Sequence, residues 1–149
     1  MKRRVYAFAW LAAVIVLGTP AAAQAQQQNP ARNSQVELLQ NYPNPFNPAT
    51  TIPFRLSETL FQNGQRPVVS LRIYNVLAQL VAIPSLQGSG EPLANLQLEC
   101  RSPANGVCEF SAYWDGTYQG SGREAASGVY VYQLVVNGQR QSRRMIVMK

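Results

Sequence analysis

Apolar and polar residues alternate along most of the chain after Val36, and this period of two predicts β-strands. In VVSLRIY, residues 68–74, the alternation places Val69, Leu71 and Ile73 on one face. No stretch after residue 25 shows an apolar repeat of helical period over a useful length. The predicted strands are residues 50–56, 68–74, 78–83, 96–99, 109–113, 128–136 and 139–148. Their short length and even spacing predict an all-β fold.

The residues between these strands refine the expected topology. Asn137-Gly138 predicts a tight hairpin between the last two strands, because both turn positions require positive φ. Pro53 lacks a backbone donor, which favours an edge position for the strand at 50–56. About seven to eight short strands at this spacing predict an immunoglobulin-like antiparallel β-sandwich.

The first residues have the pattern of an export signal. Residues 2–4 are basic, residues 5–18 are apolar, and Ala23 and Ala25 supply small residues for a signal peptidase. A helix over the apolar run would measure about 21 Å, against a hydrocarbon core of about 30 Å. We therefore predict a signal peptide at 1–25 with cleavage after Ala25; a short membrane anchor is the alternative. Residues 26–37 lack apolar periodicity and predict a flexible spacer before a domain at 38–149.

Cys100 and Cys108 are the only cysteines, and export would bring them to an oxidising compartment. Both flanking segments alternate like strands, which predicts a disulfide across a β-hairpin at about 93–112. Closing so short a loop stabilises the fold by about 2.5 kcal/mol in the chain-entropy model. A metal site is the alternative, but two thiols without a histidine make an incomplete ligand set.

Composition argues against catalysis and against nucleic-acid binding. The chain has no histidine, the commonest general base and metal ligand. Its acids are Asp115 and six glutamates, and no serine lies in a nucleophile-elbow sequence. Removing residues 2–4 leaves ten basic residues against seven acidic ones, so the net charge falls from +6 to +3. We predict no catalytic, cofactor-binding or metal-binding residues and no nucleic-acid partner, while an unrecognised enzyme stays open.

One proline-rich segment, LQNYPNPFNPATTIPFRL at 39–56, interrupts the strand pattern. Its prolines fix φ and prevent regular ladder pairing, and each asparagine before a proline is pushed towards an extended conformation. We expect Tyr42 and Phe46 to dock this loop onto the sandwich. The motif loop is Asn44, Pro45, Phe46, Asn47 and Pro48.

This segment resembles the opening of the C-terminal sorting domains of type IX secretion (Por secretion), a family related in fold to the immunoglobulin-like domain of flagellar hook-capping proteins. Further blocks are similar to the family's in the same order. They are VSLRIYNVLAQLV at 69–81, YWDG at 113–116, ASGVYVYQL at 126–134 and RRMIVMK at 143–149. Two departures are Ala78, where the family often has glycine, and a long segment at 84–112 with the cysteine pair.

The resemblance covers about 38–149 and implies an immunoglobulin-like sandwich that directs an exported protein across the outer membrane. Its implied partners are the type IX machinery and a sortase-like peptidase, with membrane contact only transiently through the signal peptide. The implied location is the medium or the cell surface of a Gram-negative bacterium. Recognition residues are expected at Arg143, Arg144 and Lys149, which would pair with an acidic or strand-edge receptor. A charged edge that resists aggregation, and an adhesive surface module, remain alternatives.

Overall fold

The computed structural model describes residues 34–149, and strands account for most of its regular structure. A single 3₁₀ helix, Glu58–Gly64, is found in that range. The strands are β1 Val36–Leu38, β2 Thr50–Ser57, β3 Val68–Tyr74, β4 Leu80–Ala82, β5 Ser85–Leu86, β6 Leu96–Gln97, β7 Val107–Trp114, β8 Gly128–Val136 and β9 Gln139–Val147. The predicted signal peptide, its cleavage site at Ala25 and most of the predicted spacer lie outside the described residues.

The strands form two antiparallel sheets that pack face to face. Sheet A has the order β1-β2-β7-β5, and sheet B has the order β4-β3-β8-β9, with β6 also paired to β3. Period-two alternation builds the core between them, since β2 and β8 bury every second side chain. The predicted all-β antiparallel sandwich is therefore confirmed, and so is the hairpin at Asn137-Gly138, where both residues have positive φ.

The sandwich begins two residues before the predicted domain boundary. Val36 and Leu38 are each only 1% exposed and face the core from β1. Strand β1 pairs with the second half of β2, opposite Leu56 and Phe54. The last residues of the predicted spacer thus belong to the fold, because an alternating triplet as short as VEL still buries two side chains.

Pro53 lies in an inner strand, so the edge position expected for it is wrong. Strand β2 pairs with β7 along its whole length and with β1 on its other side. Pro53 accepts a hydrogen bond from Leu39 N at 3.0 Å on the β1 side. There the chain bulges, and Asn41 N donates to the Tyr132 hydroxyl instead of to β2. The bulge tolerates a residue without N–H, as sheet irregularities do.

The Cys100–Cys108 disulfide forms as predicted, with the two Cα atoms 5.8 Å apart. The hairpin expected around it is wrong, because its two flanks lie in different sheets. Strand β6 pairs with β3 in sheet B, whereas β7 pairs with β2 in sheet A. The tight turn lies instead at Asn105-Gly106, both with positive φ, between hydrogen-bonded Ala104 and Val107. The disulfide therefore joins a segment leaving sheet B to the first residues of β7.

The turn between β3 and β4 keeps a left-handed residue at Ala78, the position where a glycine is common in the resembling family. Ala78 has a φ of 58° and donates its N–H to Asn75 O at 3.0 Å. The Asn75 side chain accepts from the N–H groups of Leu77 and Gln79, both at 3.0 Å. Strands β3 and β4 form an antiparallel pair around this turn, and hydrogen bonds of the Asn75 side chain support the left-handed residue.

We expect Ala78→Gly to raise the free energy of unfolding by about 0.5–1 kcal/mol, measured by urea denaturation. The left-handed conformation costs alanine about 1–2 kcal/mol, and the extra freedom of glycine in the unfolded chain offsets part of this gain. Ala94→Gly is the control, because Ala94 is exposed and is not among the residues with positive φ. The control should lower stability, and a loss of stability in Ala78→Gly would contradict the account of the turn.

Candidate functional site

The motif loop is hydrogen-bonded to the end of the last strand. Phe46 N donates to Ile146 O, and Met148 N donates to Phe46 O, both at 3.0 Å. The Asn44 side chain adds a third contact, since its Oδ1 accepts from Ile146 N at 3.0 Å. The loop thus forms a parallel bridge between Phe46 and Val147 on the outer edge of β9. The segments 39–56 and 143–149, which are the first and last blocks of the family resemblance, therefore form one structural unit.

Aromatic packing fixes the loop from the inside. Phe46 is 2% exposed and meets the Trp114 ring edge-on, with the centroids 5.4 Å apart. Trp114 in turn meets Tyr130 at 5.8 Å. Phe46 therefore docks the loop as predicted, but the same expectation for Tyr42 is wrong. The Tyr42 backbone pairs with Thr51 while its side chain stays 59% exposed.

The Trp-Asp-Gly turn that follows β7 closes on the motif loop. Asp115 Oδ1 accepts from the Thr117 N–H at 2.9 Å and from its hydroxyl at 2.7 Å, so the carboxylate forms a turn. Gly116 has a φ of 81°, and a Cβ there would overlap the carbonyl oxygen of Pro48. The backbones of two motifs far apart in sequence touch at a position that admits only glycine.

Three polar residues that were not predicted as site residues form a hydrogen-bond network at the start of the motif loop. Asn41 and Thr50 are each 2% exposed, and the Asn41 amide donates to Thr50 Oγ1 at 3.0 Å. The hydroxyl of fully buried Tyr132 accepts from Asn41 N at 3.0 Å and donates to Leu39 O at 2.8 Å. Burial raises the pKa of Tyr132, which keeps its hydroxyl protonated and able to donate. The one signal of this network in the sequence is Asn41, which precedes the Tyr-Pro pair.

Tyr130 has a similar role beside the Trp-Asp-Gly turn. Its hydroxyl donates to Ala126 O at 2.9 Å. Burial raises its pKa to about 12, and the neighbouring Tyr118 adds to the shift. Arg123 lies over the Tyr118 ring, 5.7 Å from its centroid. Tyr130 and Tyr132 stay neutral near pH 7 and act as hydrogen-bond donors within the fold.

The three basic residues expected to be recognised lie in different surroundings. Met145 and Val147 of β9 face the core, which by alternation puts Arg143 on the inner side and Arg144 on the outer side. Arg143 Nε donates to Leu38 O at 2.6 Å and so joins β9 to β1. Lys149 pairs with Glu124 at 2.5 Å, and its N–H donates to Ser127 Oγ at 3.1 Å. Of the three, Arg144 alone makes no ion pair or side-chain hydrogen bond within residues 34–149.

Two further arginines form ordinary surface ion pairs. Arg55 lies between Glu37 and Glu109, at 3.6 and 2.8 Å, and Arg66 pairs with Glu99 at 2.6 Å. Within the described range no group of three or more histidine, cysteine or acidic side chains is placed to hold a metal ion. None of the helices found between residues 34 and 149 is long and apolar enough to cross a membrane.

Comparison with known proteins gives a likeness of structure. No family model and no curated protein matches the chain. A crystal structure of dimeric latent PorU from Porphyromonas gingivalis matches with a TM-score of 0.51 and 23% identity, over 76% of this chain and 9% of PorU. PorZ, described as an essential bacterial surface component of the type IX secretion system of P. gingivalis, matches with a TM-score of 0.40 and 20% identity, over 74% of this chain and 11% of PorZ. The chain spans about a tenth of either protein, and the likeness to PorU shows a shared fold.

Proposed function

We propose that the chain is an exported, non-catalytic sorting domain of the type IX secretion kind, whose last strand is recognised at the outer membrane. The observation that carries the proposal is the union of the motif loop with β9 through Phe46, Asn44 and Ile146. Three blocks that resemble the sorting family, at 39–56, 113–116 and 143–149, thereby meet in the sandwich. The likeness in fold to part of PorU supports the proposal.

The position of β9 suits recognition by a receptor. It is an edge strand of sheet B, and its register with β8 directs the backbone groups of even-numbered residues outwards. The outward backbone groups of Ile146 and Met148 are hydrogen-bonded to the motif loop. The outward carbonyl oxygen of Arg144 accepts from Gln40 Nε2 at 3.1 Å. The outward groups of Ser142 have no partner within residues 34–149. A strand-edge receptor would therefore meet β9 around Ser142, beside the Arg144 side chain.

We also propose a route of export for the chain and the proteins that act on it. The predicted signal peptide brings the chain to the periplasm, where the disulfide forms, and the type IX machinery then moves it to the surface or the medium. A sortase-like peptidase acts on the chain as on a substrate. The chain contributes binding surfaces and no catalytic group.

A charge reversal at Arg144 tests the recognition of β9. We expect Arg144→Glu to lower the exported fraction, measured by fractionating periplasm, surface and medium, by about tenfold or more, because facing like charges cost several kcal/mol at an interface. Arg101→Glu is the matched control, since Arg101 is exposed and has no ion pair among the described residues. Deleting residues 143–149 would be less informative, because it also removes the core residues Met145 and Val147. Normal export of Arg144→Glu would contradict the proposal.

A groove beside the disulfide favours a second candidate function, that of an adhesive surface module. It has a volume of about 480 Å³, and its lining includes Leu86, Leu96, Glu99, Arg101 and Phe110. An adhesive role predicts that Arg101→Glu abolishes binding to a surface partner while export stays normal. The adhesive role also predicts normal export of Arg144→Glu, so the export of that variant, measured together with the partner binding of Arg101→Glu, separates the two candidates.

A further inference from the structure

Strand β8 is apolar on both of its faces except at Gln133. Its inner residues are Tyr130, Tyr132, Leu134 and Val136, and its outer residues are Val129, Val131, Gln133 and Val135. An antiparallel sheet with one face in water normally alternates apolar and polar residues, whereas strands covered on both faces are apolar throughout. The composition of β8 is therefore that of a strand whose outer face is covered.

The neighbouring strands extend this apolar surface, which we call the outer face of sheet B. The register aligns Tyr74 with Val131 and Val131 with Arg144, and it pairs Val129 with Ile146. Val129 is 43% exposed and Ile146 is 40% exposed. The outer face comprises Arg72, Tyr74, Val129, Val131, Gln133, Val135, Ser142, Arg144 and Ile146.

The most exposed apolar side chains continue the outer face at one end of the sheet. Val76 and Leu77 are each 74% exposed in the β3–β4 turn, which directly follows Tyr74. Leu80 at the start of β4 is 50% exposed, and Met148 just after β9 is 57% exposed. They add exposed apolar side chains at the end of the sheet where Tyr74, Val129 and Ile146 lie.

The charge on this sheet has a single sign. The strands of sheet B contain four arginines and neither aspartate nor glutamate, and Arg72, Arg140 and Arg144 lie at outward positions. Sheet A differs, because Arg55 on its outer face is neutralised by Glu37 and Glu109. The outer face of sheet B is thus complementary to a surface that is both acidic and apolar.

Two occupants from the chain itself are disfavoured by the same charges. A second copy packed face to face would bring arginines against arginines, which destabilises a twofold contact. Residues 1–33 contain no acidic residue, so they cannot complement the face either. Charge complementarity therefore favours an acidic partner.

We infer that the outer face of sheet B binds an acidic, apolar protein surface, and that this surface belongs to the receptor that recognises β9. The inference rests on the proposed function and extends the recognised area from the last strand to Arg72 and the β3–β4 turn. Tyrosine, methionine and arginine are enriched, and acidic residues and lysine depleted, at the centre of protein–protein interfaces. The middle of the face also contains polar groups, since Gln133 Nε2 donates to Ser142 Oγ at 3.3 Å there. A protein partner can form hydrogen bonds with such groups.

Two substitutions remote from the C-terminus in sequence test the inference. Leu77→Asp and Arg72→Glu leave residues 139–149 unchanged, and each should lower the exported fraction about tenfold or more if the receptor contacts the outer face. The controls are Tyr113→Asp, at a 42% exposed site on the outside of sheet A, and Arg101→Glu, both with normal export expected. Arg72 is half-buried, so Arg72→Gln is measured in parallel, and urea denaturation of each purified variant excludes a loss of fold.

The outcomes separate this inference from the proposed function. If Arg144→Glu blocks export while Leu77→Asp and Arg72→Gln export normally, the sorting role stands and the extended receptor contact is wrong. If all three variants export normally, both proposals fail. If the purified protein binds vesicles of phosphatidylglycerol and phosphatidylcholine, and Leu77→Asp abolishes that binding without changing export, the occupant is a lipid surface and the inference is overturned.

Discussion

Replacing Gly116 with alanine is expected to lower the free energy of unfolding by roughly 3 kcal/mol or more, as measured by urea denaturation. Two effects add in this variant. Alanine is strained in the left-handed conformation, with φ at 81°. Its Cβ would also overlap the carbonyl oxygen of Pro48. The obstacle is backbone in the proline-rich motif loop, so relief requires moving the loop itself. We therefore expect Gly116→Ala also to disturb the bridge between Phe46 and β9.

Gly120→Ala provides the matched control for this prediction. Gly120 has a φ of 78° in the same stretch of chain, but nothing lies within 4 Å of a Cβ placed there. It should therefore cost only the backbone term, about 1 kcal/mol. Equal losses in the two variants would show that the contact between the Trp-Asp-Gly turn and Pro48 contributes nothing.

Phe46→Ala is expected to cost about 3–5 kcal/mol of unfolding free energy, the range for truncating a buried phenylalanine. The ring fills the space between the motif loop and Trp114, with the two centroids 5.4 Å apart. Its loss leaves a cavity beneath the backbone bridge to β9, which the rigid proline-flanked loop cannot easily collapse to fill. Urea denaturation measures the stability, and near-ultraviolet circular dichroism reports the changed environment of Trp114.

Tyr42→Ala is the control for Phe46→Ala within the same motif. Tyr42 is 59% exposed, so its truncation should change stability by no more than about 0.5 kcal/mol. A larger loss for Tyr42→Ala than for Phe46→Ala would reverse the assignment of the docking residue.

Local patterns predicted most strands, but they could not predict partners far apart in sequence. The alternation in VVSLRIY and the pair Asn137-Gly138 each determine a local feature, and both predictions are confirmed. The partner of β7 is different, since two alternating segments joined by a short cysteine loop fit a hairpin equally well. Burial of Phe54 and Leu56 opposite β7 decides the pairing instead, and that depends on the whole core.

The candidate site was predicted as the basic residues Arg143, Arg144 and Lys149. The alternation of side chains along β9 places Arg143 and Arg144 on opposite faces of the strand. Met145 and Val147 are apolar, so their inward orientation already implies that Arg143 points inwards and Arg144 outwards. The hydrogen bond from Arg143 to Leu38 could not be foreseen, because β1 lies more than a hundred residues earlier in the chain. The valines on the outside of β8 were visible in GVYVYQLVV, but only the register shows which neighbours they join.

The bridge between the motif loop and β9 also bears on the order of folding. Asn44 and Ile146 are 102 residues apart in sequence, so the bridge is a contact of very high sequence separation, the kind that closes slowly. A nascent chain that stops short of Val147 leaves Phe46 without its partner strand and the sandwich open along that side. The native state is therefore reached only after synthesis of the final strand, and chains that stop before it stay open to proteolysis.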